Sequence, residues 1–512
     1  MKKTGAKKAL CILLAAFLLG LSLPFTALPV FAEDANFSYS VLSEDEKTAE
    51  IVSYTGTAEQ VVIPSEIDGY QIVRIGAYVF MGNSTMESVS LPETVEEIGE
   101  GAFGVCEMLT DITLPSAVTV IEPLAFAGCT SMTAISVSSR NPAFTARDGV
   151  LLNKDGTRLI AYPAGKTDTA YSVPKNVAEI AEYAFFSCFN LQEVTVPQSV
   201  KTIGISAFQG CAALQKISLR YGLETIGEYA FNECSELTEI SIPFGVTALE
   251  NSTFEGCSAL ETVSLPNSLS TIGEYAFASC RALKQIVLPN SVSAIGKSAF
   301  SGCTALTSVN IPDRVTAIEA YTFSTAEALK EITVPSSVTA IDEFAFSYSG
   351  LTTVFGYSGS AAETFAAKNG ISFVSLLPPT GIPGDLNQDG TSDLTDYALL
   401  SSIAIGAQFP TALETEIADL NADTAVDFFD VSLLNLVLNG DYHLPGDLDG
   451  NGICDATDAA TLSAYLSGDA DLTDRQKSAA DINCDGAVTD ADAVLLAKRA
   501  EMYQKYQDSL SA

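Results

Sequence analysis

Ala282-Leu283-Lys284-Gln285-Ile286-Val287-Leu288-Pro289-Asn290-Ser291-Val292-Ser293-Ala294-Ile295-Gly296-Lys297-Ser298-Ala299-Phe300-Ser301-Gly302-Cys303 is one copy of a segment that the chain repeats at a fixed period. Pro64, Pro92, Pro115, Pro174, Pro197, Pro243, Pro266, Pro289, Pro312 and Pro335 mark one column of the pattern. Phe80, Phe103, Phe126, Phe185, Phe208, Phe231, Phe254, Phe277, Phe300, Phe323 and Phe346 mark another. From Pro174 onward the period is 23 residues, with Arg220 at the one position that lacks proline. Within a copy, Leu-x-x-Ile-x-Leu-Pro reads as a short strand with Ile and Leu on one buried face. Proline stops the hydrogen-bond ladder, and Val-x-x-Ile-Gly then reads as a short helix-like stretch that buries Ala-Phe. No copy buries its apolar face alone, so neighbours must stack, which makes this a repeat solenoid.

The period lapses once. Between Ser138 and Pro174 a copy carries 13 extra residues, and Asp148-Gly149 and Asp155-Gly156 flank an apolar stretch. That pattern predicts a hairpin projecting from one face. Residues 33–60 read as an N-terminal cap of the solenoid over 60–376, and 351–376, helical over Ala361–Asn369 and extended over Ile371–Val374, as the C-terminal one.

Eight of the 11 cysteines, Cys106, Cys129, Cys188, Cys211, Cys234, Cys257, Cys280 and Cys303, share one repeat position, where an earlier copy has Asn83. Stacked side chains that point the same way favour buried thiols over bridges. Two columns face outward. Between the strand's Ile and Leu stand Ser90, Thr113, Ser136, Thr195, Ser218, Ser241, Ser264 and Thr333, a smooth hydroxyl stripe. Two residues before the repeated Phe stand Tyr78, Tyr183, Tyr229, Tyr275, Tyr321 and Phe344. A Tyr column offers both area and a polar tip to a ligand, or simply covers the flank of the solenoid.

Composition narrows the function. The 512 residues hold 63 acidic and 26 basic side chains, a formal net charge of −37 that opposes binding to phosphate backbones. There is no tryptophan and one histidine, His443, so neither a multi-His zinc site nor a freely placed catalytic His is available. A carboxylate-pair hydrolase remains conceivable, but no convergent pair stands out. At the N-terminus Lys2, Lys3, Lys7 and Lys8 precede apolar Leu10–Leu23, and Val30-Phe31-Ala32 places small residues where signal peptidase cuts. Residues 1–32 are thus expected to be a signal peptide, and no later stretch reaches the roughly 18 apolar residues of a membrane span.

At 377–384 a Pro/Gly linker ends the repeat, and 385–512 carries 24 acidic and 5 basic residues. The carboxylates are spaced as in a calcium loop, with oxygens at positions 1, 3, 5, 9 and 12 and a main-chain carbonyl at 7. Loop 1 offers Asp385, Asn387, Asp389, Thr391, Asp393 and Asp396, and loop 2 Asp419, Asn421, Asp423, Ala425, Asp427 and Asp430. Loop 3 offers Asp447, Asp449, Asn451, Ile453, Asp455 and Asp458, and loop 4 Asp481, Asn483, Asp485, Ala487, Thr489 and Asp492. Loop 2 has Thr424 where the turn favours glycine, and loop 4 has Thr489 in place of an acid. Apolar helices are expected after the loops, over Tyr397–Ile403, Val431–Leu438, Ala459–Leu466 and Ala493–Ala500. Loop starts lie 34 residues apart within each pair, and 441–446 separates the pairs, giving two modules, 385–440 and 447–505.

The repeat over 60–376 resembles the BspA-like leucine-rich repeats of bacterial surface and secreted proteins, and the loop–helix duplicates resemble tandem type I-like dockerins. The resemblance implies short strands with helical turns followed by two small, mainly α, calcium-binding modules, with up to four Ca²⁺ ions, two per module. It implies docking onto cohesin modules of a scaffoldin or cell-surface protein through loop positions 10 and 11 and the following helix. Those positions are Leu394, Thr395, Phe428, Phe429, Ala456, Thr457, Asp490 and Ala491, with Lys498 and Arg499 in the last helix. The expected protein is a secreted, non-catalytic recognition or adhesion protein of a cellulosome-like assembly, with a protein or glycan as the solenoid's ligand. A dockerin-borne polysaccharide-degrading enzyme and a purely structural spacer are the alternatives. Cys454 and Cys484 lie in the two loops of one module, where a bridge between them stays open.

Overall fold

The computed structural model describes residues 30–31, 36–376 and, beyond them, 386, 394–404, 448, 456–468, 470–482, 488–490, 492–497 and 500. The described residues of Met1–Leu306, with Glu319–Ala328 and Asp342–Gly350, form one compact unit, and those of Thr307–Ile318, Leu329–Ile341 and Leu351–Ala512 a second.

In the first unit each repeat contributes two short strands. The expected strand before the proline is present, and it pairs in parallel with its counterpart one period on, as in Glu193–Thr195 against Lys216–Ser218. The Val-x-x-Ile segment differs from expectation. It forms a second, two-residue parallel strand, for example Glu179–Ile180 against Thr202–Ile203 and then Thr225–Ile226, and the Ala-Phe segment is a train of tight turns with no helix. The reason lies in where the amides point. Tyr183, Phe185 and Ser187 donate to the carbonyls of Ile205, Ala207 and Gln209 in the next turn, at 2.9, 2.7 and 2.9 Å. Ser206, Phe208 and Gly210 repeat this one period later. Alternate amides committed to the neighbouring turn cannot also close i→i−4 helical bonds.

Those turns need left-handed backbone at their first and last donor. Tyr183 and Ser187 have φ 57°, Ser206 has φ 52° and Gly210 φ 73°. Glycine takes this conformation freely, whereas other residues pay roughly 1–2 kcal/mol each, offset here by three inter-turn hydrogen bonds per turn. Glycine has a different task after the Ile of the second strand. A Cβ on Gly204 would lie 2.5 Å from the Glu182 nitrogen of the preceding turn, so the backbones there are in near contact.

The core is a column of phenyl rings. Phe185 and Phe208 stack at 4.6 Å between centroids, and Phe208, Phe231, Phe254, Phe277 and Phe300 continue at 5.3–5.4 Å, with nearly parallel ring planes. Tyr162 stacks on Phe185 at 5.1 Å and so stands in the phenylalanine column, a substitution invisible to a search for Phe alone. At the other corner, the Pro carbonyl accepts from the Val three residues on (Val200 to Pro197, 3.1 Å), while Ser199 donates to Val177 O of the preceding turn at 2.6 Å. The recurrent Pro-x-Ser-Val is thus a turn with an inter-turn rivet.

The insertion does form a hairpin, Phe144–Arg147 against Val150–Asn153. It does not project. Val150, Leu151 and Leu152 are fully buried, and Val150–Asn153 pairs onward with Arg158–Ala161. Three consecutive apolar residues are hidden on both faces, which only a strand woven into the wall can achieve. At the N-terminal end, Phe37–Ser43 and Thr48–Tyr54 form an antiparallel pair whose second strand joins the repeat sheet in parallel.

In the second unit, Thr353–Tyr357 and Ser372–Leu376 pair in parallel around helix Ala361–Asn369. The helix is capped by the Ser360 hydroxyl, which accepts from Glu363 N, and ends at left-handed Gly370.

Removing one ring from the column should be costly: Phe254→Ala is expected to lose about 3–5 kcal/mol, read as a lower urea midpoint.

Candidate functional site

The recurrent cysteines are eight free, buried thiols. Each donates to the carbonyl of the ring residue 26 positions back, as in Cys106 to Phe80 O (3.0 Å) and Cys303 to Phe277 O (3.1 Å). Asn83 heads the column and instead accepts from Thr85 N and Met86 N at 3.0 and 2.9 Å. Burial pushes the Cys303 thiol up from its ordinary 9.0 to about 12, and Cys257 and Cys280 rise for the same leading reason. The thiolate is the reactive form, so this column is structural rather than nucleophilic.

The outward tyrosines prove to be among the left-handed residues. Tyr78, Tyr183, Tyr229, Tyr275 and Tyr321 have φ between 56° and 61°. They alternate along the stack with small residues at the equivalent position, Gly101, Ser206, Ser252 and Ser298. Ser206, Ser252 and Ser298 are all buried, and a Cβ on Gly101 would meet the Tyr78 ring at 2.7 Å. Large and small therefore interlock on this flank. Tyr183 and Tyr229 are half-buried, whereas Tyr275 and Tyr321 are 38% and 36% exposed. Burial, then the Glu182 carboxylate, raises the Tyr183 phenol. Two more exposed aromatics stand at successive corners of the repeat, Tyr221 (72%) after Arg220 and Phe244 (75%) after Pro243. Their signal in the sequence is an aromatic residue where Pro-x-Ser-Val carries a polar one.

In the acidic C-terminal part, the three described acids at loop position 12, Asp396, Asp458 and Asp492, are completely buried. Asp458 Oδ1 accepts from Leu448 N at 2.8 Å, and Asp492 Oδ1 from Ile482 N at 2.9 Å, the amide of loop position 2 in each case. Asp492 Oδ2 also accepts from Thr489 N at 2.8 Å. A carboxylate at position 12 that accepts from the amide of position 2 brings these two positions together, as a ring of oxygen ligands around Ca²⁺ requires. The helices start within the loops, at Leu394 and Ala456, three residues before the expected Tyr397 and Ala459. Position 12 thus belongs to the first helical turn, and position 10 already lies on the helix. Leu448, Leu462, Leu472, Ala480, Ile482 and Leu496 form one core. Between them, Asp474–Ala480 opens on a capping box of Thr473 and Gln476.

Ala456, Thr457, Thr489 and Asp490 are exposed, and Asp481 is half-buried. Leu394 and Thr395 open their helix. Asp385, Asn387, Asp389, Thr391, Asp393, all of loop 2 with Phe428 and Phe429, Asp447, Asp449, Asn451, Ile453, Asp455, Asn483, Asp485, Ala487, Ala491, Lys498 and Arg499 lie outside the described residues or their described side chains. So do Cys454 and Cys484.

The BspA type leucine rich repeat region matches residues 52–146, 166–283 and 247–361. The chain belongs to this leucine-rich-repeat family. Dockerin type I domains match 383–439 and 445–500. Dockerins bind calcium and have cohesins as partners, and both families are interaction modules without a catalytic domain. A leucine rich cell surface protein from Faecalibacterium prausnitzii is 29% identical over 69% of this chain and 100% of its own, with a TM-score of 0.43. A leucine-rich repeat protein from Eubacterium ventriosum is 23% identical over 64% of this chain and 96% of its own, also with a TM-score of 0.43. No curated protein matches. Among the described residues no helix is long and apolar enough to cross a membrane.

The thiol column fixes a pH dependence. Thiols with raised values in the fold keep their protons when those of the unfolded chain have lost them, so alkali favours unfolding. Stability contributed by the column is complete below about pH 9 and drains away as pH rises toward about 12 for Cys303. Urea midpoints under reducing conditions should therefore fall between pH 8 and pH 10.5.

Proposed function

We propose that this chain is an exported, non-catalytic recognition protein whose repeat presents a ligand-binding surface and whose C-terminal modules fasten it, through calcium, to cohesins of a scaffold or cell surface. The supporting observation is the pair of buried position-12 carboxylates, Asp458 and Asp492, each tied to the amide of position 2 in its own loop. Burying a lone carboxylate is costly unless hydrogen bonds and a cation compensate it. The donor set of each loop is all oxygen, which suits hard Ca²⁺, and two modules would hold up to four ions.

The proposed organisation is a signal peptide over 1–32, a cap over 33–60, the solenoid to 376, and modules over 385–440 and 447–505. Cleavage after Ala32 would also remove Val30–Phe31, a two-residue strand paired with Tyr39 and Ser38. Partner contact is assigned to exposed Ala456, Thr457 and Asp490, with Leu394, Thr395, Phe428, Phe429, Ala491, Lys498 and Arg499 completing the faces. Within the solenoid, Tyr275 and Tyr321 are the outward members of the Tyr column, while Tyr183 and Tyr229 contribute more to its flank.

A pull-down from secreted and cell-wall proteins with the full chain tests this reading. A cohesin-bearing partner is expected with Ca²⁺ and lost with EGTA, and Asp458→Ala combined with Asp396→Ala should weaken capture at least about tenfold by removing ligands from both modules. Capture that ignores EGTA and these substitutions would refute it.

A further inference from the structure

The insertion interrupts the stack on the side of the Ala-Phe turns. The sheet that ends at Val120–Ile121 finds Glu97–Ile98 on one side and no strand on the other among the described residues. The next strand in that column, Arg158–Ala161, takes the inserted strand Val150–Asn153 as its neighbour instead. The turn after Val120–Ile121 is open as well. Leu124, Phe126 and Gly128 occupy the positions of Gly101, Phe103 and Val105, whose amides donate to Pro123, Ala125 and Ala127 at 3.0, 2.9 and 2.7 Å. Among the described residues, the amides of Leu124, Phe126 and Gly128 have no acceptor. Their geometry is nonetheless that of a donating turn, with φ 63° at Leu124 and 72° at Gly128.

The ring column breaks at the same level. Phe103 and Phe126 stack at 6.0 Å and Tyr162 and Phe185 at 5.1 Å, with no ring contact between Phe126 and Tyr162. A cavity of about 270 Å³ lies here, lined by Glu122, Leu124, Phe126, Arg158, Ala161 and Glu182 among others. Arg158 is already held by Glu179, Nε to Oε1 at 2.7 Å, which leaves Glu122 and Glu182 to set the charge of the mouth.

We propose that this break is a docking site for a peptide segment of a partner protein that takes up the turn conformation of a repeat copy and carries a lysine or arginine. Alternate carbonyls of the peptide accept from Leu124, Phe126 and Gly128, one of its side chains enters the gap beyond Phe126, and its cation faces Glu122 and Glu182. Three alternate main-chain donors in a turn call for a peptide backbone folded as the next repeat turn would be, and the acidic mouth selects a basic one. The site gives the recognition role proposed above a ligand class and rests on that reading. Its test involves neither cohesin nor calcium removal, so the two fail separately.

The probe is acetyl-Gly-Lys-Ser-Ala-Phe-Ser-Gly-amide, the sequence of Gly296–Gly302. In its own place that segment accepts from Tyr275, Phe277 and Ser279 at 3.1, 2.8 and 2.7 Å, through the carbonyls of Lys297, Ala299 and Ser301. Added to the full chain, the peptide should slow hydrogen exchange over 124–128. Replacing its lysine by glutamate should weaken binding about tenfold, and Glu122→Lys with Glu182→Lys should reverse that preference. Unchanged exchange over 124–128 at millimolar peptide, or a preference indifferent to the double substitution, would overturn the proposal. So would protection without peptide that grows with protein concentration, because a second copy would then fill the break.

Discussion

Everything in the repeat follows from a trio of amides per turn that donate to the next turn rather than within their own. To aim three alternate N–H groups along the stack, the chain must enter the left-handed region twice in five residues, and it does so with Tyr, Ser, Val and Thr as well as Gly. That strain persists because each turn is held by its neighbours, which also explains why no single copy could fold alone. The phenyl column, the thiol column and the Pro-x-Ser-Val corner are three ways of satisfying what the trio leaves over. Rings fill the interior at the spacing the hydrogen bonds impose. Thiols cap the carbonyls of the ring residues, and serines rivet the opposite corner.

The same rule explains why the single irregularity matters. Inserting 13 residues keeps the wall continuous on the hairpin side, where Val150, Leu151 and Leu152 are buried, but leaves the trio at Leu124, Phe126 and Gly128 without recipients. In a repeat built on neighbours, a missing neighbour is the place where something else can bind. The C-terminal modules work by a different constraint. There the buried carboxylates of Asp458 and Asp492 accept from the Leu448 and Ile482 amides within a segment that carries a surplus of acids. On the proposed reading those charges repel one another without a cation, which couples order in these modules to the ion.

Much of this was readable from residues. The 23-residue period specified the parallel strands, the ring column and the buried thiols, because one residue type at one position in stacked copies has few other uses. The carboxylate spacing singled out Asp458 and Asp492, which are buried and accept from the Leu448 and Ile482 amides. Other features were out of reach. Val-x-x-Ile-Gly has the spacing of a helical turn, and only the destination of its amides makes it strand and turn. The left-handed role of Tyr183 and Tyr229 contradicts what a bulky residue normally tolerates, so no local rule would assign it. Tyr162 hid in the ring column because the insertion shifted its register, and Asp148-Gly149 indicated a hairpin without indicating which way it would fold.

The central claim is that one chain joins a calcium-independent solenoid to calcium-ordered docking modules. Hydrogen exchange of the full chain, with Ca²⁺ and then with EGTA, tests it most directly. The account predicts that protection around Leu448, Ile482 and the helices Ala456–Ser467 and Asp474–Ala480 collapses on chelation. Protection over the repeat turns from Tyr78 to Phe346 should not change. Equal protection of the modules in both conditions, or a solenoid that loosens with them, would contradict it.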